Sequence, residues 1–110
     1  MMSGDYIPDV GDIVWINFTP QSGYEQAGHR PAVVLSPKSY NARLGLMVCV
    51  PVTTKIKGYP FEVAIDDKSV ALSDQIKSVD WESRDCRYKG KISTEAITEI
   101  KANVALLLNI

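Results

Sequence analysis

The chain has 110 residues, of which 45% are hydrophobic, and its formal net charge at pH 7 is −1. This length predicts a single domain over residues 1–110, which can bury roughly 60–70% of the surface of the unfolded chain. The near-neutral charge excludes a protein that coats nucleic acid non-specifically, because such binding depends on many contacts between basic side chains and phosphates.

The cysteine and apolar content exclude further classes of protein. One histidine and two cysteines, Cys49 and Cys86, cannot supply the four ligands of a zinc site from these side chains alone. The longest apolar run, residues 104–108, is far shorter than the ~20 residues that span a bilayer. The N-terminus lacks a basic segment followed by an apolar core, so we expect no secretory signal, no membrane partner and a cytoplasmic protein with reduced cysteines.

Strand patterns fill most of the chain. The runs of strand length that are rich in β-branched or aromatic residues are 12–18, 31–35, 46–52, 61–65 and 70–79. The last of these can bend near Ser73, and a short run at 90–92 could close the sheet. Cys49 is predicted to be a small core residue of the third strand, and residues 39–43 favour one helical turn before it.

Only the C-terminal segment has the pattern of a full helix. Ser93 or Thr94 can cap it. One apolar stripe follows at spacings of three and four, formed by Ile97, Ile100, Val104 and Leu107. Together, these elements predict a mainly β protein. Its strands would form a small, mostly antiparallel barrel with a C-terminal α-helix packed on it. We expect so short a sheet to remove its exposed edges by closing or by pairing with another chain.

The first candidate for chemistry is a charged pair at the start of a predicted buried strand. Arg30 precedes Pro31, and the residue before a proline is held extended, which fixes the direction of its side chain. The planar guanidinium can contact a phosphate at two points. Glu25 lies in the preceding loop, whose glycines can bring the carboxylate back to Arg30. Taken alone, the pair also fits a surface salt bridge worth about 0–1 kcal/mol.

The second candidate is a polar cluster at the end of the third strand. The hydroxyls of Thr53 and Thr54 can hold a phosphate oxygen there, although threonines at strand ends often only satisfy the local backbone. Lys55, Lys57 and Tyr59 combine charge with an aromatic plane, and this mixture suits single-stranded nucleic acid. The plainer alternative is a solvated turn.

Three other polar residues are weaker candidates. Gln75 and Lys77 would share one face of the 70–79 strand, where an amide can read the edge of a base but is more often only solvated. His29 is a possible acid or base at neutral pH. It is adjacent to Arg30, however, so the two side chains would point to opposite faces of a strand, and we interpret His29 as structural.

At this point the residues resemble a known family. The segments that carry the resemblance are residues 23–35 (GYEQAGHRPAVVL), 50–54 (VPVTT), 57–63 (KGYPFEV) and 71–78 (ALSDQIKS). They look like the MazF toxins, the mRNA interferases of the MazF/PemK/Kid group. The resemblance implies an SH3-like barrel that works as a homodimer and cuts single-stranded RNA without a metal or cofactor. It also implies a cognate antitoxin that blocks the active groove with an acidic, flexible segment.

By position, the resemblance implies that Glu25, Arg30 and Thr53 are catalytic. The residues that we expect to contact RNA around them are Thr54, Lys55, Lys57, Tyr59, Gln75 and Lys77. In the Kid branch an Arg-x-Asp pair has been given the acid–base work, but here the position of that arginine is Leu72. The MazF-type assignment is therefore preferred, and His29 and Asp74 are secondary candidates.

Two other classes of function compete with a ribonuclease. A non-catalytic toxin of the same fold could bind and poison DNA gyrase, as in the CcdB group, but it would not need the Glu25, Arg30 and Thr53 set. An SH3-like adaptor for proline-rich peptides needs a groove lined with aromatic side chains. The chain has two Trp, five Tyr and two Phe, and several of these are needed in the core, so we rank the adaptor last.

Overall fold

A computed structural model describes residues 6–18 and 28–110. The elements in chain order are β1 (Asp12–Asn17), β2 (His29–Val34), α1 (Lys38–Leu44), β3 (Leu46–Thr53), β4 (Glu62–Ala64), β5 (Val70–Leu72), β6 (Lys77–Asp80), β7 (Arg87–Lys91) and α2 (Thr94–Leu108). The prediction of a mainly β chain with a C-terminal helix is confirmed. Within these residues, neither helix has the length and apolar character needed to cross a membrane.

The seven strands pair antiparallel around β3. Their order is β4–β5–β3–β2–β1–β7, and β6 also pairs with β3. The start of β3 (residues 46–49) pairs with β6, whereas its end, Val52 and Thr53, pairs with β5. Among the described strands, β7 pairs only with β1, so the strand expected to close the sheet leaves the barrel open. The strand β3 divides its pairing between two short strands, β6 at its start and β5 at its end.

The predicted 70–79 strand is two strands joined by a turn. The Ser73 hydroxyl donates to the Phe61 carbonyl at 2.6 Å, and the Ser73 N–H donates to the same oxygen at 3.1 Å. The Gln75 N–H donates to the Leu72 carbonyl at 3.0 Å. These bonds compete with a continuous ladder and end β5 at Leu72. Gln75 therefore lies in the turn, and the prediction that it shares a strand face with Lys77 is wrong.

Apolar residues pack on both faces of the sheet because successive side chains of each strand point to opposite sides. One cluster contains Val14, Ile16, Ala32, Val34, Met47 and Cys49. The other contains Val33, Val50, Val52, Val63, Ala71 and Ile100. The prediction that Cys49 is a core residue is confirmed, and its burial raises the pKa of the thiol to about 12.

The helix α2 covers the second cluster. Ser93 caps it as predicted, because its side chain accepts a hydrogen bond from the Ala96 N–H at 3.1 Å. Ile97 and Val104 pack beside the buried Ile100, whereas Leu107 at the end of the predicted stripe is 44% exposed. The helix thus protects one face of β3 and leaves the strand end at Thr53 accessible.

Candidate active site

Two cavities meet at the end of β3. The first, called here the cationic cavity, has a volume of about 300 Å³ and is lined by residues that include Trp15, Arg30, Thr53, Thr54, Lys68 and Lys89. The second, called the loop cavity, has a volume of about 220 Å³ and is lined by Thr53, Lys55, Lys57, Tyr59, Glu62, Leu72, Asp74 and Gln75. Thr53 lines both cavities and therefore lies between them.

Strand register brings Arg30 and Thr53 together. The strands β2 and β3 are antiparallel neighbours, with Ala32 opposite Pro51 and Val34 opposite Cys49. The same register continued by two residues puts the start of β2, Arg30, across from the end of β3, Thr53. Both side chains line the cationic cavity, and Arg30 is exposed there. Two of the three residues predicted to be catalytic are thus brought to one surface, while Glu25 lies outside the described residues.

The Thr53 hydroxyl has its own local hydrogen bond. Its Oγ1 accepts from the Lys55 N–H at 3.1 Å. A hydroxyl has one donor and two acceptor sites, so this bond leaves the O–H group available to donate. Thr53 therefore satisfies the local backbone and can also donate to a phosphate oxygen in the cavity, and the two interpretations of this residue are compatible.

The wall of the loop cavity is organised by a residue that the sequence patterns did not single out, Glu62. Its Oε2 accepts from the Lys57 N–H at 3.0 Å, and its Oε1 accepts from the Gly58 N–H at 2.9 Å. Gly58 has a φ of +79°, in the left-handed region that side chains other than glycine rarely adopt. The loop held in this way exposes 58% of Tyr59 and places the Lys57 ammonium 5.8 Å from its ring centroid.

Most of the residues predicted to contact RNA line one of the two cavities. Thr54 lines the cationic cavity, and the loop cavity takes Lys55, Lys57, Tyr59 and Gln75. Lys77 lines neither of these two cavities. It lies half-buried on β6 opposite Cys49. Asp74, a secondary candidate, lines the loop cavity, whereas Arg30 lines the cationic cavity.

His29 has a partner away from both cavities. Its Nε2 lies 3.1 Å from Oδ2 of Asp85, in the loop before β7. The Arg87 Nε donates to the other oxygen of the same carboxylate at 3.0 Å. The hydrogen bond from Arg87, with smaller contributions from its charge and from His29, lowers the pKa of Asp85. His29 thus ties the start of β2 to this loop, in agreement with its interpretation as structural.

Three residues of the cationic cavity were not among the predicted site residues, because they lie far apart in the sequence. Trp15 is on β1 and is 38% exposed, and the Lys89 ammonium on β7 lies 5.4 Å from its ring centroid. Lys68 belongs to a turn in which the Asp66 carboxylate accepts from the Lys68 N–H at 2.8 Å and from the Ser69 hydroxyl at 2.9 Å. The register between β1 and β7, had it been known, is the signal that would have placed Lys89 next to Trp15.

The charged groups around the two cavities are arranged differently. Among the described lining residues, the cationic cavity has three cations, Arg30, Lys68 and Lys89, against one carboxylate, Asp66. The loop cavity has Lys55 and Lys57 against Glu62 and Asp74. Within the described part of the chain, no three His, Cys, Asp or Glu side chains form a group that could hold a metal ion. The chemistry that these side chains offer is contact with an anion on one side of Thr53 and with a polar, planar group on the other.

Comparisons with known proteins identify the family of the chain. Residues 9–108 match the family described as PemK-like, MazF-like toxin of type II toxin-antitoxin system. The chain is 49% identical over 110 residues to the endoribonuclease toxin MazF of Escherichia coli strain K12, and the alignment covers 97% of this chain and 99% of that one. It is 32% identical over 98 residues to the endoribonuclease toxin ChpB of the same strain, with 81% and 84% of the two chains covered.

Solved structures give the same result. A crystal structure of MazF from Deinococcus radiodurans matches with a TM-score of 0.88 at 44% identity, covering 96% of this chain and 100% of that chain. A MazE–MazF crystal structure from the same organism matches with a TM-score of 0.88 at 44% identity and covers 96% of this chain and 99% of that one. Together with the family match over residues 9–108, these similarities show that the chain belongs to the PemK-like, MazF-like toxin family of type II toxin–antitoxin systems.

Proposed function

We propose that this chain is the toxin of a type II toxin–antitoxin system and a sequence-specific endoribonuclease that cleaves single-stranded mRNA. Cleavage of mRNA would stop translation and growth. One observation carries the proposal: Arg30 and Thr53 line a single cavity in a chain that is 49% identical to a protein named an endoribonuclease toxin. A guanidinium and a hydroxyl on one wall are donors that suit the oxygens of a phosphodiester.

The proposed reaction is transfer of a phosphate within the RNA chain. The 2′-hydroxyl attacks the adjacent phosphorus, the bond from phosphorus to the 5′-oxygen breaks, and the products carry a 2′,3′-cyclic phosphate and a 5′-hydroxyl. Glu25 takes the proton of the attacking hydroxyl. Arg30 stabilises the negative charge that develops on the phosphate oxygens, where fixed donors act most strongly. Thr53 holds one of these oxygens by donating its O–H group.

The leaving 5′-oxygen also needs a proton. Arg30 is a poor source, because a guanidinium does not release its proton in proteins. The carboxylic acid form of Glu25, which results from the first proton transfer, or a water molecule could supply it. A carboxylate, a guanidinium and a hydroxyl are sufficient for each of these steps, so the proposed mechanism uses no metal ion.

The proposal extends to partners and location. The cations of the cationic cavity are complementary to a cognate antitoxin with an acidic, flexible segment, and a MazE–MazF structure is known for a relative at 44% identity. The side chains of Leu106, Leu108 and Ile110 at the end of α2 are exposed, and we propose that a second copy covers part of this apolar segment in a homodimer. We also propose that the chain is one domain over residues 1–110 and acts in the cytoplasm.

Incubation of the protein with a long RNA in EDTA tests the activity, and the 5′ ends of the fragments give the recognised sequence. Glu25→Gln should lose about 10²–10⁴-fold in cleavage rate, because general base catalysis typically contributes that much. Glu99→Gln, an exposed change on α2, is the matched control. Cleavage by Glu25→Gln and Arg30→Ala at the wild-type rate would overturn the site. Intact RNA with inhibited DNA gyrase would instead support the non-catalytic toxin.

The nucleophile can be tested separately with a modified substrate. An RNA that carries 2′-deoxyribose only at the cleaved nucleotide should bind but resist cutting, because it lacks the attacking oxygen. Duplex RNA should also be cut poorly, since sequence-specific reading of RNA uses unpaired bases. Efficient cutting of an all-DNA strand would contradict the mechanism.

A further inference from the structure

We propose that the cationic cavity binds a second phosphate of the RNA, next to the one that is cleaved, through the ammonium groups of Lys68 and Lys89. This inference rests on the proposed function and deepens it. It gives the cavity two parts, with Arg30 and Thr53 at the scissile phosphate and the two lysines at its neighbour. None of the sequence motifs assigned a role to Lys68.

The described lining of the cavity carries more positive than negative side chains. Its described lining has three cations and one carboxylate, Asp66. The proposed mechanism places the Glu25 carboxylate near Arg30, where it would offset the charge of that guanidinium. With Asp66 also counted, the wall carries one net positive charge. Lys68 and Lys89 lie on elements other than those that carry Arg30 and Thr53, so their positions, and not the net charge, favour contact with a neighbouring phosphate.

The single carboxylate of the described lining is already bound within its own turn. Asp66 accepts hydrogen bonds from the Lys68 N–H and the Ser69 hydroxyl, at 2.8 and 2.9 Å. These bonds, the first of them the larger, lower the pKa of Asp66. The carboxylate thus stays ionised at neutral pH and fixes the backbone that carries Lys68, while the ammonium of that residue lies at the end of a flexible side chain.

The two lysines reach the cavity from separate elements. Lys89 lies on β7, and its ammonium is over the ring of Trp15 on β1 at 5.4 Å. Lys68 lies in the turn between β4 and β5. An ammonium is a compact charge with three donors and binds phosphate without a fixed orientation, which suits a neighbouring phosphate that is held but does not react. The cavity volume of about 300 Å³ is at the lower end of the range for small-molecule sites, as expected for a cavity that holds only part of an RNA strand.

The loop cavity is a poorer place for this second phosphate. Its two lysines are balanced by Glu62 and Asp74, so a phosphate there would approach two carboxylates as well as two cations. The exposed ring of Tyr59 offers a surface on which a base can stack. The RNA backbone is therefore expected to continue from Thr53 into the cationic cavity, while a base enters the loop cavity.

The salt dependence of RNA binding tests the proposal. The probe is a short RNA with the mapped cut site and 2′-deoxyribose at the cleaved nucleotide. Lys68→Gln and Lys89→Gln should each reduce the slope of log affinity against log salt by about 0.7, and the double variant by about 1.4, the value for single strands. Lys101→Gln, an exposed change on α2, is the control and should leave the slope unchanged. Equal slopes for the double variant and wild type would overturn the proposal.

A neutral linkage in the RNA identifies the phosphate. Two RNAs are compared, each with methylphosphonate in place of one of the two phosphates that flank the scissile phosphate. One of these replacements should weaken binding by the wild type and have little further effect on binding by the double variant. Equal weakening of both proteins would contradict a contact with these lysines. If the double variant binds RNA normally but binds an acidic peptide poorly, the two lysines serve the antitoxin and the inference is wrong. RNA cleavage by the wild type would still support the proposed function.

Discussion

The cationic cavity and the loop cavity share Thr53 but are built from different kinds of structure. The cationic cavity takes Trp15, Arg30 and Lys89 from strands whose register is fixed by ladder hydrogen bonds. The loop cavity depends on an irregular segment between β3 and β4 that Glu62 holds by two hydrogen bonds. Strands fix groups in place, whereas loops tolerate sequence change. The difference suggests that the first cavity performs the reaction common to the family and that the second sets the base preference.

Among the residues that line the two cavities, the largest expected effect is at the guanidinium of Arg30. Arg30→Ala should lower kcat/KM for RNA by about 10²–10³-fold, as for removal of a donor aimed at developing charge. Arg30→Lys should recover only part of the rate, because an ammonium cannot make the two-point contact. Single-turnover cleavage of a short RNA measures both. A full rate with Arg30→Ala would mean that the cationic cavity is not where the reaction occurs.

The next effect is at the junction of the cavities. Thr53→Val removes the hydroxyl but keeps the shape, and it should lower kcat by roughly 10–100-fold, since a hydrogen bond to a charged group contributes about 1.5–3 kcal/mol. Thr53→Ser retains the hydroxyl and is the matched control. Steady-state kinetics separates the two parameters. A change confined to KM would place Thr53 in binding of the ground state and not in the reaction.

A smaller effect is expected in the loop cavity. Glu62→Ala removes the acceptor for two exposed backbone N–H groups. Each bond contributes about 0.5–1 kcal/mol at the surface, so KM should rise roughly 5–30-fold with little change in kcat. Sequencing of the cut ends should also show a relaxed base preference. Glu99→Ala on α2 is the control for loss of a surface carboxylate. If Glu62→Ala lowers kcat as strongly as Thr53→Val, the proposed division between the cavities is wrong.

The smallest effect is a titration in the cationic cavity. Asp66 should titrate below the ordinary aspartate pKa of ~3.9 because the Lys68 N–H and the Ser69 hydroxyl bind its charged form. Its contribution to the turn is therefore complete above that ordinary value and is lost as the pH falls through the lower, folded-state pKa. NMR observation of the Asp66 carboxyl carbon measures this. Ser69→Ala should move the pKa part of the way back, and an unshifted pKa in the wild type would show that these two hydrogen bonds do not hold the carboxylate in solution.

Much of the fold could be predicted because its signals are local. The alternation of Val14 and Ile16 with Trp15, and the Ser93 cap of α2, each lie within a few residues. A bend near Ser73 was predicted, but the full division of the 70–79 run into two strands was not, because the bond that ends β5 joins Ser73 to Phe61, twelve positions earlier. Glu62 was missed for a related reason: its alternation with Val63 has the pattern of an ordinary solvent-facing strand residue, and only the folded loop shows its two acceptors in use.

The sequence by itself determined the periodicity of the strands, the apolar stripe of the final helix and the motifs that mark the family. Only the tertiary structure decided that Arg30 and Thr53 line one cavity and that Lys68 and Lys89 reach the same wall. The physical reason is that a side chain's face follows from its local periodicity, whereas its neighbours depend on the register between strands. That register is set by backbone hydrogen bonds between segments tens of residues apart, as in the pairing of β1 with both β2 and β7.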